Sequence, residues 1–95
     1  MLPGKGSVVG ERFISHPDVR KIVFTGSTEV GVKVMAGAAQ QVKRVTLELG
    51  GKSANIVHPS ADLERALDGA LGGIYSNNGQ QCLAGSRILV HRPIA

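Results

Sequence analysis

Two residues in this chain have the right chemistry to act on a substrate. Cys82, the only thiol, stands in Gly79-Gln80-Gln81-Cys82-Leu83-Ala84-Gly85-Ser86-Arg87. Glu48 stands in Leu47-Glu48-Leu49-Gly50-Gly51-Lys52-Ser53. Each is set in a glycine-marked turn, and together they offer a nucleophile and a general base. Both also have plainer readings. A free cysteine is commonly a buried structural thiol. A glutamate at a strand end is commonly an exposed surface residue. The thiolate is the reactive form of cysteine, and local charges, backbone donors and helix termini favour it. Arg87, five residues on, is a candidate for that role.

A third run, Gly26-Ser27-Thr28-Glu29-Val30-Gly31, reads as a turn between a strand and a helix. Such a turn presents backbone N–H groups at the positive end of a helix and can cradle a pyrophosphate, with Ser27 and Thr28 adding hydroxyls. It is not the six-residue G-x-G-x-x-G fingerprint, so an ordinary serine- or threonine-capped turn explains it too. His16, His58 and His91 are spread along the chain, beside prolines or in turns. They form no Cys/His pair and show no metal-ligand spacing, so they read as solvated or structural and no metal site is expected.

The surrounding pattern supplies elements to hold these residues. Leu2-Pro3-Gly4-Lys5-Gly6 reads as a loop. A short helix is expected from about Ser7 to Ser15, stopped by Pro17. The segment Val19 to Thr25 carries the apolar run Ile22-Val23-Phe24 and suits a strand buried on both faces of a parallel sheet. In the helix after Gly26, Val30, Val34 and Ala38 recur every four residues, as do Gly31, Met35 and Ala39. Glu29 and Lys33 form a favourable i,i+4 pair. From Val42 to Leu49 the chain alternates, with Val45, Leu47 and Leu49 on one side and Thr46 and Glu48 on the other. Strand ends of this kind are where open α/β sheets gather ligands. A further strand is expected over Ala54 to Val57. A helix capped by Ser60 or Asp62 follows, with an apolar stripe of Leu63, Ala66, Leu67, Ala70, Leu71 and Ile74. Asn77-Asn78-Gly79 ends it, and Arg87 to His91 reads as a last strand. The order β-α-β, then β-α-β, predicts an α/β fold.

Composition narrows the function classes. The chain has 95 residues, enough for one small domain or a piece of a larger one. At 42% hydrophobic residues it falls in the globular range. No apolar run reaches the ~18 residues a membrane span requires. The net charge of +4 comes from eleven scattered Lys and Arg, and Phe13, Phe24 and Tyr75 are the only aromatic residues. No basic stripe with stacking rings exists, so neither nucleic acid nor a membrane is an expected partner. A single cysteine cannot form an internal disulfide, which favours a reducing, cytoplasmic setting.

Taken together the runs resemble the aldehyde dehydrogenase superfamily. The resemblance is carried by His16-Pro17-Asp18-Val19, Phe24-Thr25-Gly26-Ser27-Thr28-Glu29-Val30-Gly31, Lys43 to Ser53 around Glu48, and Gly79-Gln80-Gln81-Cys82 with Ser86-Arg87, in matching order and spacing. It implies a partial aldehyde dehydrogenase fold built of parallel-sheet β-α-β units. Residues 1–50 would be the C-terminal part of the nicotinamide-cofactor domain, and residues 51–95 the N-terminal part of the catalytic domain. It implies that Cys82 is the nucleophile and Glu48 the general base. Gly26, Ser27 and Gly31, with Thr25 and Thr28 beside them, would form the cofactor turn, and the Leu49 backbone part of the nicotinamide pocket. The implied cofactor is NAD or NADP, the substrate a small aldehyde, and the parent enzyme a homo-oligomer. Other parts of the family pattern have no counterpart here, among them an upstream oxyanion asparagine and the ribose-gripping lysine. The chain therefore reads as a fragment, inactive on its own. The rival expectations are a non-catalytic truncated remnant and a cofactor-independent thiol esterase.

Overall fold

A computed structural model describes residues 1–95, which divide into two compact units, Met1–Leu49 and Gly50–Ala95. Each unit has a pair of parallel strands joined through a helix, and the fold is α/β with parallel strands.

The first unit opens with a wide helical turn, Gly6–Gly10, that runs into α1, Glu11–Ser15. A regular helix from Ser7 was expected. The β-branched pair Val8-Val9 between two glycines is poor helix material, and the turn widens there. His16, which precedes Pro17, is extended, with ψ 126°. The exposed carbonyls at the end of α1 find partners far along the chain. Lys43 Nζ donates to the carbonyls of Phe13 and His16, and Gln41 Nε2 donates to that of Ser15 at 2.8 Å.

Strand β1, Lys21–Gly26, pairs in parallel with β2, Arg44–Leu49, in the register Lys21↔Arg44 through Gly26↔Leu49. Helix α2, Thr28–Ala39, connects them and buries Gly31, Val34 and Ala38. At Gly31 the helix runs close to the sheet, since a Cβ there would stand 2.7 Å from Leu49 Cδ2. The packed face of α2 therefore runs through Gly31, Val34 and Ala38, while Met35 and Val30 stay exposed. Burial of β1 on both faces is not found. Ile22 and Phe24 are half-buried, but Val23 is 67% exposed, because α2 covers a single face.

The expected start of β2 at Val42 is also displaced. Val42 takes a left-handed conformation, φ 53°, and forms the C-terminal lock of α2. Its N–H donates to Ala39 O, and the Lys43 N–H donates to Ala38 O at 3.0 Å, the double bond that glycine normally permits at this position. A β-branched residue is strained there.

In the second unit, β3, Ala54–Val57, pairs in parallel with β4, Arg87–Val90. Helix α3, Leu63–Tyr75, lies between them in sequence. Asp62 caps it, with Oδ1 accepting from the N–H groups of Glu64 at 3.1 Å and Arg65 at 3.3 Å. The other candidate, Ser60, instead places its hydroxyl 2.9 Å from His58 Nδ1. Only part of the apolar stripe is covered. Ala70 is buried and Ala66 and Ile74 are half-buried, while Leu63, Leu67 and Leu71 stay exposed. Small side chains let α3 approach, and a sheet of two strands is too narrow to reach the leucines. No helix of either unit is long and apolar enough to cross a membrane.

Candidate active site

In the first unit, strand register assembles most of the candidate residues. Thr25 is the partner of Glu48, and Gly26 is the partner of Leu49, so all four sit at the carboxyl ends of β1 and β2. Glu48 is exposed, on the strand side opposite the half-buried Val45, Leu47 and Leu49. Parallel strands place their C-terminal ends together, which is why such ends collect ligands.

The turn from β1 into α2 continues this end. Ser27 is the N-cap, with its Oγ accepting from the Val30 N–H at 3.3 Å and its carbonyl accepting from Gly31 at 2.9 Å. The N–H groups of Thr28 and Glu29 remain without intramolecular partners, as the first turn of a helix requires. They form a donor pair suited to a phosphate oxygen. The Glu29 carboxylate, which would oppose an anion there, is bound by Lys33 Nζ at 2.8 Å. Gly26 borders this turn, and a Cβ on it would meet the Phe24 ring at 2.5 Å.

Periodicity alone missed the groove beside this turn. A largely apolar cavity of about 570 Å³ lies between the Gly6–Ile14 segment, β1 and the first turns of α2. Ser7, Phe13, Ile14, Phe24, Val30 and Lys33 help line it. Its partial signal was the exposed side of the Val30 stripe, but the opposite wall comes from α1, which no local pattern links to α2.

Cys82 belongs to the second unit and is exposed. It occupies a turn closed by the Ala84 N–H donating to Gln81 O at 3.1 Å, and its own N–H has no intramolecular acceptor. The turn follows an unusual helix end. Asn77 and Asn78 are both left-handed, with φ 50° and 56°, and Gly79 follows at φ 72°. Asparagine tolerates this region better than most residues, yet each one costs energy. The run before Cys82 is therefore backbone-strained, a property that clusters at functional sites. Arg87 reaches back to the loop after β2. Its Nε donates to Lys52 O at 2.8 Å.

No group of three or more His, Cys, Asp or Glu side chains converges to hold a metal ion. The His58 and His91 rings lie 6.3 Å apart at the ends of β3 and β4, with no third ligand. His16 Nδ1 accepts from the Asp18 N–H at 3.2 Å, a structural role.

Comparison with known proteins gives a consistent picture. Residues 1–95 match the pattern of the aldehyde dehydrogenase family. The chloroplastic betaine aldehyde dehydrogenase of Atriplex hortensis is 52% identical over 95 residues, covering 100% of this chain and 19% of that protein. A solved NAD+ complex of an aldehyde dehydrogenase from Bacillus cereus superposes with a TM-score of 0.92 at 51% identity, covering 97% of this chain and 19% of its own. Betaine aldehyde dehydrogenase from Staphylococcus aureus, also in complex with NAD+, superposes with a TM-score of 0.93 at 47% identity, over 98% of this chain and 18% of its own. The chain thus spans about a fifth of the length of the proteins it matches.

Proposed function

The chain belongs to the aldehyde dehydrogenase family, and from that premise we propose that it supplies the nucleophile, the general base and the phosphate-binding turn of an enzyme oxidising an aldehyde to a carboxylic acid. The proposed cofactor is NAD, supported by the NAD+ complexes of its relatives. The first unit contributes to the cofactor domain and the second to the catalytic domain.

One observation carries this reading. Thr25, Gly26, Glu48 and Leu49 share the carboxyl end of a parallel strand pair, beside a capped helix whose Thr28 and Glu29 N–H groups are unpaired. That arrangement fits a dinucleotide. The free N–H groups suit its pyrophosphate, and Gly26 keeps the approach open. The groove lined by Phe24 and Val30 has the size and apolar character for a planar ring. When bound, the cofactor supplies the hydride acceptor.

The protein's own steps follow from its side chains. The Cys82 thiolate attacks the aldehyde carbon, so a C–S bond forms while the carbonyl π pair moves onto oxygen. The unpaired Cys82 N–H donates to that oxyanion. After loss of hydride the substrate is a thioester on Cys82. Glu48 then takes a proton from water, the resulting hydroxide attacks the thioester carbon, and the thiolate departs as the carboxylic acid leaves. Glu48 suits this role because it is exposed at a strand end, where water reaches it.

The test is a full-length protein carrying this segment, incubated with NAD and a panel of small aldehydes while reduced cofactor is followed by absorbance. Aldehyde-dependent reduction that disappears in Cys82→Ala supports the reading. Ester hydrolysis without any cofactor reduction would favour the thiol-esterase alternative and refute it.

A further inference from the structure

We propose that Arg87 is a positioning residue for Cys82, acting through the Gly50–Ser53 loop. The inference rests on the reading of Cys82 as nucleophile and adds to it a residue that touches neither substrate nor cofactor.

Arg87 opens β4 and bonds two successive carbonyls of that loop. Its main-chain N–H donates to Ser53 O at 3.3 Å, and its side-chain Nε donates to Lys52 O at 2.8 Å. Gly51 makes no hydrogen bond of its own, and glycine brings no conformational preference to hold it. The loop is thus tied at its far end by one residue. Its free part lies against the reactive turn. A Cβ built on Gly51 would stand 3.4 Å from the carbonyl oxygen of Cys82, ordinary contact distance.

The downstream side of the turn is fixed separately. Gly85 N–H donates to Gly73 O at 3.1 Å, Ser86 N–H donates to Ala84 O at 2.8 Å, and Ala84 is buried. The half-buried Asn55 packs its amide against Gly85, where a Cβ would come within 3.1 Å of Nδ2. The Cys82 turn therefore has one wall built from α3, β3 and the turn's own bonds, and one built from a glycine loop that Arg87 holds. Without that bond, the close approach of Gly51 to the Cys82 carbonyl has nothing to enforce it. The Cys82 N–H and thiol then sample orientations unsuited to attack and to oxyanion binding.

The planar guanidinium matters as well as its charge. Nε donates sideways from a fixed fork, whereas a lysine ammonium is a mobile point donor at the end of a flexible stem. Arg87→Lys therefore separates a clamp from a purely electrostatic role.

The experiment uses the full-length protein with Arg87→Met, Arg87→Lys and Gly51→Val, each matched for folded fraction by circular dichroism. Three quantities are read: kcat and KM for aldehyde oxidation, the NAD dissociation constant, and the rate of iodoacetamide alkylation at Cys82, followed on its own peptide by mass spectrometry. Arg87→Met is expected to lower kcat roughly 10- to 100-fold, the scale of a displaced reacting group. It should also change the Cys82 alkylation rate by more than about threefold, while NAD affinity stays within about twofold. Arg87→Lys should leave most of the kcat loss in place. Gly51→Val adds a branched side chain where the loop approaches the Cys82 carbonyl and should reproduce the pattern even if Arg87→Met does not fold.

A folded Arg87→Met or Gly51→Val with wild-type alkylation and kcat overturns the proposal, and so does full restoration by Arg87→Lys. A wild-type protein that lacks aldehyde oxidation would refute the enzymatic reading. The alkylation comparison would still decide whether Arg87 positions the thiol.

Discussion

The two units hold their reactive groups by different means. In the first, every candidate residue rides on regular structure. Glu48 and Leu49 end β2, Thr25 and Gly26 end β1, and Ser27 caps α2 with Thr28 in its first turn. In the second, Cys82 sits in an irregular turn after three left-handed residues, held by contacts from α3, β3 and the loop tied by Arg87. Binding phosphates calls for backbone N–H groups in fixed array, which a strand-to-helix turn provides at little cost. A nucleophile whose own N–H binds the oxyanion has to be exposed with that N–H unspent, which the interior of a helix or strand does not allow. Among the candidate residues, it is the thiol whose surroundings carry left-handed backbone and long-range ties.

Replacing the thiol breaks the comparison most severely. In a full-length protein carrying this chain, Cys82→Ala should reduce aldehyde oxidation by at least ~10⁴-fold, as loss of a nucleophile does elsewhere. Calorimetric titration should find NAD affinity largely unchanged, because the residues proposed to bind the cofactor all lie in the first unit. Parallel loss of binding and turnover would mean that the division of labour between units is false.

Glu48→Gln comes next. It keeps the shape and removes the base, so steady-state turnover should fall ~10²–10⁴-fold. Rapid mixing should still show a first burst of reduced cofactor. A missing burst with intact binding would move Glu48 to an earlier step.

Gly26→Val probes the first unit alone. The new side chain collides with the Phe24 ring, which lines the groove. NAD binding should weaken about tenfold, with kcat at saturating cofactor changed far less, since only ground-state binding is lost. An unchanged dissociation constant would remove the turn from the cofactor site.

Much of the regular structure was legible in the sequence. The strand Ala54–Val57 after the Gly50-Gly51 break, the start of α3 at Leu63 with its cap and apolar stripe, and the glycine turn into α2 were all readable. The same periodicities marked the ends of β1 and β2 where the cofactor candidates stand. What escaped depends on distant partners. Val42 was read as the start of the alternating segment that ends at Leu49, yet it takes a left-handed conformation at the end of α2. Val23 and the α3 leucines read as core, but burial depends on how wide the covering layer is, which no local pattern encodes. Arg87 read only as a local charge five residues from the thiol, and its hydrogen bond to Lys52 O, 35 residues back, had no signal in the sequence. The groove wall from α1 is likewise a tertiary fact.

The smallest expected effect lies at one of those surprises. Val42 is 90% exposed, so Val42→Gly loses little packing and relieves the left-handed strain. That strain is worth roughly 1–2 kcal/mol, less the entropy of the added glycine, for a net gain of about 0.5–1 kcal/mol. Urea unfolding should show a higher midpoint at unchanged slope, with activity unaltered. A lower midpoint would mean that the valine side chain is packed in the full-length protein.

The central claim is that Cys82 carries the substrate covalently and that Glu48 releases it. The most direct measurement is mass spectrometry of the Cys82 peptide after acid quench of the Glu48→Gln protein with aldehyde and NAD. The account predicts an acyl adduct on Cys82 approaching one per site within the first turnover, absent when NAD is withheld. An unmodified Cys82 peptide alongside a full burst of reduced cofactor would contradict it.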